Sequence, residues 1–335
     1  MSVTIKDVAR EADVSPSTVS RVIANNSKIS DETKERVNKA IKKLDYYPNV
    51  IARSLANNST KILGLVLPNS AENSFENPFF IQAMAGISIY AQRKGYNIMY
   101  SFGKDDEDEL SLVKKYTNSK LVDGIILLVS KSKDSCINYL KESKFNFVVV
   151  GRPENENNVL WVDNDNFDAM RKAVNIVINK GYKSFAYIGG PKHWTVSKDR
   201  LAGFKQALID NNIPIEEDII IEQKEFNEAM GYEAMKKILL SKTPEAVITT
   251  DDLLAFGALR MIRKEKLKNI GLVGFNNTPL SIYQNPSLSS VDINSEKLGY
   301  RAAKLLINSI EKEENRVNHY IVDTKLMERT STKRK

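Results

Sequence analysis

The chain has 335 residues, 42% of them hydrophobic, a formal net charge of +7 and a single cysteine. That length is a prior for two or three domains with ample cores, and the lone thiol of Cys136 excludes an intramolecular disulfide and reads as an inert buried group in a reducing compartment. The opening M-S-V-T-I-K-D-V-A-R is charged every few residues, unlike a secretory signal, and runs such as G-I-I-L-L-V from Gly124 are far too short to span a bilayer, so a cytoplasmic location without membrane contact is expected.

The charge is unevenly placed. Residues 1–60 carry 10 Lys+Arg against 7 Asp+Glu, the last seven residues hold four basic groups and no acidic one, and 61–328 balances at 35 against 35. A small basic segment joined to a larger neutral one points to a polyanionic partner for the small segment.

The first sixty residues read as helices only. Ile5, Val8, Ala9 and Ala12 form one apolar stripe, Val19, Val22 and Ile23 a second, and Val37, Ala40, Ile41 and Leu44 a third. Ser15 is placed to cap a helix with Pro16 at its first position, and Ser30 to cap the next, with Asp31 and Glu32 at its positive end. Only A-D-V separates the first two helices, the spacing of a helix-turn-helix. On the second helix Pro16, Ser17, Ser20 and Arg21 share the face opposite the valines. Short hydroxyl side chains let such a helix sit deep in a major groove, and an arginine can bond a guanine bidentately. The next stretch, Y-Y-P-N-V-I-A-R-S-L-A-N-N from Tyr46, holds a helix of about nine residues, too short to be stable alone in water. It could fold only on DNA and, paired with a second copy, wedge Leu55 into the minor groove. A plain linker with an exposed leucine is the alternative.

From Lys61 the pattern changes to strand-like runs alternating with helices: I-L-G-L-V-L, N-I-M-Y-S-F, G-I-I-L-L-V, N-F-V-V-V-G, F-A-Y-I-G-G, A-V-I-T-T and G-L-V-G-F. Continuous apolar strands between helices indicate parallel sheets covered on both faces. There are too many for one small sheet, so two similar subdomains are expected. N-V-L-W-V-D-N (Asn158 to Asn164), S-S-V-D-I-N (Ser289 to Asn294) and I-V-D-T-K-L (Ile321 to Leu326) are read as the crossings between them.

T-I-K-D-V-A-R-E-A-D-V-S-P-S-T-V-S-R-V-I followed by Y-Y-P-N-V-I-A-R-S-L-A resembles the headpiece and hinge of the LacI/GalR family of bacterial repressors. The likeness continues through N-P-F-F, G-I-S-I-Y-A-Q-R-K-G-Y, D-G-I-I, D-R-L-A-G-F, T-D-D-L-L-A-F-G-A and V-G-F-N-N, across the whole chain. It implies base reading by Pro16, Ser17 and Arg21, phosphate contacts from Thr4, Thr18, Ser20 and Asn49, and a minor-groove wedge from Leu55. The implied fold is α/β: an all-α helix-turn-helix headpiece with a hinge helix at about 49–57 within 1–60, then two doubly wound parallel-sheet subdomains of the periplasmic-binding-protein type. Their expected spans are about 61–161 with 293–321, and about 162–290 with 324–335.

Ligands of such sheets bind beyond the carboxyl ends of the strands. That rule selects Trp194 and Arg200 after I-G-G, with Pro191 and His193 beside them, Asp251 after A-V-I-T-T, Asn276 after L-V-G-F, Phe226, and Phe79 with Phe80. Asp251 can accept bonds from neighbouring hydroxyls, Arg200 and Asn276 can donate, and Trp194 and Phe226 can cover a pyranose face. This chemistry suits a neutral sugar, and family positions matching these residues contact effector. Asn276 stands where many members carry aspartate. Asp251 and Arg200 could instead form a structural ion pair, Phe79 and Phe80 could belong to the core, and His193 reads as a solvated loop residue. G-R-P from Gly151, V-G-F-N-N and S-S-V-D-I-N are similar to the maltose-type repressors, which makes a malto-oligosaccharide the first candidate.

No enzyme motif appears. The two histidines are far apart, and there is no C-x-x-C, H-E-x-x-H, G-x-G-x-x-G or G-x-S-x-G, so neither a metal nor a cofactor is expected. The acidic run Asp105 to Glu109 reads as a solvated helix start. The expected function is a homodimeric repressor of a carbohydrate-utilisation operon, reading the half-sites of a palindromic double-stranded operator and released by sugar. The chain ends without an apolar heptad, so a tetramerisation helix is not expected. The rivals are a corepressor-driven or phosphoprotein-assisted global carbon regulator, and a sugar-binding receptor or transport protein.

Overall fold

The structure, a computed structural model, describes residues 3–47, 59–68, 75–313 and 317–334. Internal contacts divide the chain into Met1–Thr60 and Lys61–Lys335. Asn49, Leu55 and the hinge helix expected around them lie outside the described residues.

The first unit holds α1 (Ile5–Glu11), α2 (Pro16–Ile23) and α3 (Asp31–Lys43). The expected stripes meet: Val8, Ala9, Ala12, Val19, Val22, Val37 and Ala40 form one buried cluster, with Ile5, Ile23, Ile41 and Leu44 packed around it. Ser15 caps α2, its Oγ accepting from the Thr18 amide at 3.1 Å, and Ser30 caps α3 by accepting from the Thr33 amide at 3.3 Å. Asp13, in the turn between α1 and α2, takes φ 50°, a left-handed conformation that aspartate tolerates better than most residues.

The second unit begins with β1 (Ile62–Pro68), α4 (Pro78–Arg93), β2 (Asn97–Gly103), α5 (Asp106–Asn118), β3 (Gly124–Leu127), α6 (Ser135–Glu142), β4 (Phe147–Val150) and β5 (Leu160–Asp163). It continues with α7 (Asn166–Asn179), β6 (Phe185–Gly189), α8 (Thr195–Asp210), β7 (Ile220–Glu222), α9 (Glu228–Ser241), β8 (Ala246–Thr249), α10 (Asp252–Lys264), β9 (Gly271–Phe275) and β10 (Ser289–Asp292). The remaining elements are α11 (Ser295–Ile310), β11 (His319–Ile321) and β12 (Lys325–Met327). The two sheets run β2-β1-β3-β4-β5-β11 and β7-β6-β8-β9-β10-β12, the same doubly wound order twice. All described pairings are parallel except β12 against β10. The inner strands β3, β4, β6, β8 and β9 are buried along their whole length, as their unbroken apolar runs require.

Each half packs a helix pair by bringing backbones together. A Cβ on Gly86 of α4 would stand 1.9 Å from the Glu296 carbonyl oxygen of α11, and one on Gly231 of α9 would stand 2.1 Å from the Leu254 carbonyl oxygen of α10. Only glycine permits those approaches.

The three segments read as crossings turn out to be mostly strand. Leu160–Asp163 is β5 of the first sheet and Ser289–Asp292 is β10 of the second, while Ile321 ends β11 and Lys325 begins β12. The chain changes sheet just past each strand end. One side chain ties all three points: Asn164, itself on the first crossing, donates from Nδ2 to the Ile293 carbonyl at 3.1 Å and the Val322 carbonyl at 2.8 Å. Both acceptors belong to buried residues, where a main-chain oxygen needs a partner.

Candidate nucleic-acid interface and effector site

On α2 the valines turn inward, Val19 fully buried and Val22 nearly so, while Pro16, Ser17, Ser20 and Arg21 are exposed and Thr18 is half-buried. Ser15 Oγ lies 2.8 Å from Ser17 Oγ and 2.9 Å from Thr18 Oγ1, so the start of the helix presents a knot of three hydroxyls. Arg21 makes no hydrogen bond or ion pair among the described residues. Thr4 is exposed, but both its amide and its hydroxyl donate to Asp7 Oδ2, at 3.0 and 2.7 Å. Those bonds hold the Asp7 carboxyl below its ordinary range.

In the larger unit Phe79, Phe80, Trp194, Arg200, Phe226, Asp251 and Asn276 all line one cavity. It lies beyond the carboxyl ends of strands from both sheets: Leu128 and Gly151 follow β3 and β4, and Asp251 and Asn276 follow β8 and β9. Pro191 and His193 do not line it, and His193 is exposed. Phe79 and Phe80 serve both the wall and the core, since Phe80 is buried in the main cluster and Phe79 packs against it.

Asp251 is the hub. It caps α10 by accepting from the Leu253 amide at 2.6 Å, and its Oδ2 accepts from Asn276 Nδ2 at 2.8 Å and from Asn77 Nδ2 at 3.1 Å. Burial, with the adjacent Asp252, pushes its carboxyl up to about 7. An amide at Asn276 fits this setting better than an aspartate, because it donates where a second carboxylate would repel. Asn276 also takes φ 96°, which asparagine accommodates. Asp252, beside it, does different work. Its carboxylate accepts from the Thr278 amide at 2.6 Å, Ser281 Oγ at 2.8 Å and Ser290 Oγ at 2.6 Å, which fastens α10 to the segment after β9 and to β10.

Arg200 is buried and is not bonded to Asp251. Its Nε donates to Asn166 Oδ1 at 2.9 Å, its Nη1 to the Thr250 carbonyl at 2.7 Å, and its guanidinium lies 3.8 Å over the Phe275 ring. Burial lowers it to about 10, so it stays cationic at neutral pH. Asn166 in turn donates to Asp163 Oδ1 at 2.9 Å, and burial pushes that carboxyl up to about 6. A polar chain therefore runs from Arg200 through Asn166 and Asp163 to Asn164, the residue that ties the three crossings.

Across the cavity the two subdomains are laced by backbone. Lys131 and Trp194 form an antiparallel bridge, the Ser132 amide donates to the His193 carbonyl at 2.8 Å, and the Thr195 amide donates to the Ser130 carbonyl at 3.1 Å. Lys198 adds an ion pair to Glu154 at 3.0 Å.

Several groups here escape a reading of the sequence. Asn77 is visible only as the Asn before a proline, the signature of a capped helix start, and it does cap α4. Ser130 lines the cavity with a buried hydroxyl that has no partner, a cost that a ligand hydroxyl would relieve. Asp163 and Asn164 also line it. One expectation is corrected: Glu109 of the acidic run is not solvated but buried against Lys131, 2.7 Å away. Cys136 is buried, and burial pushes its thiol up to about 12, out of reach of thiolate chemistry at neutral pH. No described helix is long and apolar enough to cross a membrane.

The profile of bacterial regulatory proteins of the lacI family matches residues 4–49, and that of a periplasmic binding protein-like domain matches residues 174–332. The chain is 41% identical over 320 residues to the HTH-type transcriptional regulator MalR of Streptococcus pneumoniae, covering 94% of this chain and 95% of that protein. The chain belongs to the lacI family of bacterial regulatory proteins. It is a lacI-family transcriptional regulator, with the α/β fold read from its sequence. Among solved structures it is similar to a complex of the transcriptional regulator CelR with cellobiose, at 28% identity and a TM-score of 0.77 over 98% of this chain and 99% of that one. It is also similar to a structure described as a probable maltose operon transcriptional repressor from a Staphylococcus, at 28% identity and a TM-score of 0.75 over 83% of this chain and 100% of that one.

Proposed function

We propose that this lacI-family regulator is a homodimeric repressor of a carbohydrate-utilisation operon, released from a palindromic operator by a neutral sugar. One observation carries the effector half: two carboxylates, three amides, one guanidinium and four aromatic rings line a single cavity between the two subdomains. Asp251 can take sugar hydroxyls, Trp194 and Phe226 can cover the apolar face of a ring, and Arg200 is the only described cation on the wall. The relatives support a sugar, one by its cellobiose and one by its maltose operon. Maltose or a malto-oligosaccharide is the first candidate.

For the DNA half, Arg21 reads a base, Pro16 and Ser17 contact base edges, and Thr18 and Ser20 bond phosphates. Thr4 joins them by exchanging its bonds to Asp7 for a phosphate oxygen. Asn49 adds a phosphate contact, and Leu55 wedges the minor groove. Two copies place two such helices in successive major grooves.

The test is fluorescence anisotropy on a palindromic duplex from upstream of the protein's own gene, at fixed salt. Titration with maltose, maltotriose, glucose and sucrose should release the DNA for at least one of them. Tightening by sugar would make it corepressor-driven. Indifference to every sugar would remove the effector half.

A further inference from the structure

Lys61 is the first residue of the larger unit, and it is gripped from four sides. Its amide donates to Asp123 Oδ2 at 2.9 Å, and its carbonyl accepts from the Asn97 amide at 2.8 Å. Its Nζ donates to Glu311 Oε1 at 2.7 Å and lies 4.2 Å over the Tyr96 ring. We propose that Lys61 is the positioning residue through which the cleft acts on the headpiece: α4 and α11 carry the state of the cavity wall to Glu311, and the grip of Glu311 and Tyr96 on Lys61 sets how the chain leaves the larger unit towards the DNA-binding helices. The inference rests on the reading of the protein as a sugar-released repressor.

Three features lead there. The first is that both helices begin at the cavity. Asn77, which caps α4, donates to Asp251, and Phe79 and Phe80 in its first turn line the wall. Ile293, whose carbonyl accepts from Asn164, lies two residues before α11, and Ile293 and Leu298 line the same wall.

The second is that both helices end at Lys61. Glu311 directly follows α11 and bonds it, while Lys94 directly follows α4 and pairs with Glu311 at 3.4 Å and with Glu313 at 2.7 Å. Tyr96 lies two residues beyond Lys94. Each helix has 16 residues, so the cavity end and the Lys61 end stand about 24 Å apart.

The third is that the two helices form one stiff body. A Cβ on Gly86 would stand 1.9 Å from the Glu296 carbonyl oxygen, and one on Gly299 would stand 1.9 Å from the Ala83 carbonyl oxygen. The Tyr90 and Tyr300 rings meet edge to face at 5.1 Å, and the Tyr90 hydroxyl donates to Asn308 Oδ1 at 3.1 Å. Backbones in such contact do not slide past each other, so a shift at the cavity end reaches the far end. The Lys61 side chain is 44% exposed, and pairs at that exposure add little to stability. The grip can therefore be removed without unfolding the unit.

The experiment measures the factor by which sugar weakens operator binding, by anisotropy of the full-length protein on the palindromic duplex with maltose, maltotriose, glucose and sucrose. The unaltered protein should show about 5- to 150-fold with at least one of them. In Lys61→Met and in Glu311→Gln that factor should fall about threefold or more, toward one. Sugar affinity without DNA should stay within about twofold and the thermal midpoint within about 3 °C. Lys61→Arg, which keeps the cation, should retain the factor. Lys205→Met, which breaks the distant pair to Glu217 at 2.7 Å, should leave it unchanged. Lys61→Met or Glu311→Gln with the factor intact overturns the proposal and leaves the sugar-released repressor standing. So does an equal fall in Lys205→Met, or a fall accompanied by lost sugar affinity or a lower thermal midpoint. A variant that no longer binds the operator at all also overturns it, because Lys61 would then hold the headpiece rather than transmit to it. Absence of coupling in the unaltered protein overturns the repressor reading, and the proposal with it.

Discussion

The headpiece and the cleft carry their chemistry in opposite ways. On α2 the groups assigned to recognition stand outside a small apolar cluster, and Arg21 is bonded to nothing described. In the cleft Arg200, Asp251, Asn276, Asn166 and Asp163 are buried and already bonded, Arg200 to Asn166, Asn166 to Asp163 and Asn276 to Asp251. A surface reader can change its side chains without disturbing its fold. A buried polar site must satisfy every member or lose stability, so its ligand specificity and its packing are one problem.

That contrast breaks first, and by the largest effect, at Asp252. Asp252→Ala leaves three buried donors without an acceptor and should cost the larger unit about 3 kcal/mol or more, read by calorimetry of the full chain. A loss under about 1 kcal/mol would show that the network is looser than its distances imply.

The neighbouring carboxylate should behave differently. Asp251→Ala should weaken sugar binding by one to two powers of ten, from about 1.5–3 kcal/mol for bonds to a charged group, with operator affinity without sugar unchanged. An equal response at the same sugar concentration would misplace the pocket. Arg21→Ala should lose about 1–3 kcal/mol of preference for the cognate operator over a scrambled duplex, keep its salt-dependent non-specific binding, and leave stability alone. Competition anisotropy measures the preference, and unchanged discrimination would remove Arg21 as a base reader.

The smallest effect is set by pH. Asp251 titrates near 7 because burial and Asp252 penalise its anion, and the anion is the better acceptor for sugar hydroxyls. Sugar affinity should therefore rise from pH 6 to 8, by at most about tenfold, with proton release on binding seen as a buffer-dependent enthalpy. Flat affinity across that window would show that no hydroxyl bonds Asp251. The same raised carboxyl binds its proton more tightly folded than unfolded. It therefore withdraws stability as pH climbs from the ordinary carboxylate value to about 7, and no further above it.

The headpiece was legible because its signals are local: a cap, a proline and a period of 3.6 settle which face of α2 is exposed. Trp194, Arg200, Phe226, Asp251 and Asn276 were legible as candidates because strand ends of a doubly wound sheet converge. What stayed hidden depends on partners far along the chain. Asn77 meets Asp251 from 174 residues away, and Asn164 reaches Ile293 from 129. Glu109 looked solvated because Lys131, which buries it, lies 22 residues on. Asp251 and Asp252 are identical letters side by side, and only the turn into α10 sends one to the cavity and the other to Ser281 and Ser290.

On the proposed function, sugar in the cleft and operator on the headpiece oppose each other. Coupling of this kind is reciprocal in binding free energy. The chain has two tryptophans, and Trp194 lines the cavity, so its fluorescence reports sugar directly. Sugar affinity should be measured by that signal with and without saturating operator. Operator should weaken sugar binding by the same factor by which sugar weakens operator binding, about 5- to 150-fold. Sugar affinity that does not change when the operator is bound would contradict it.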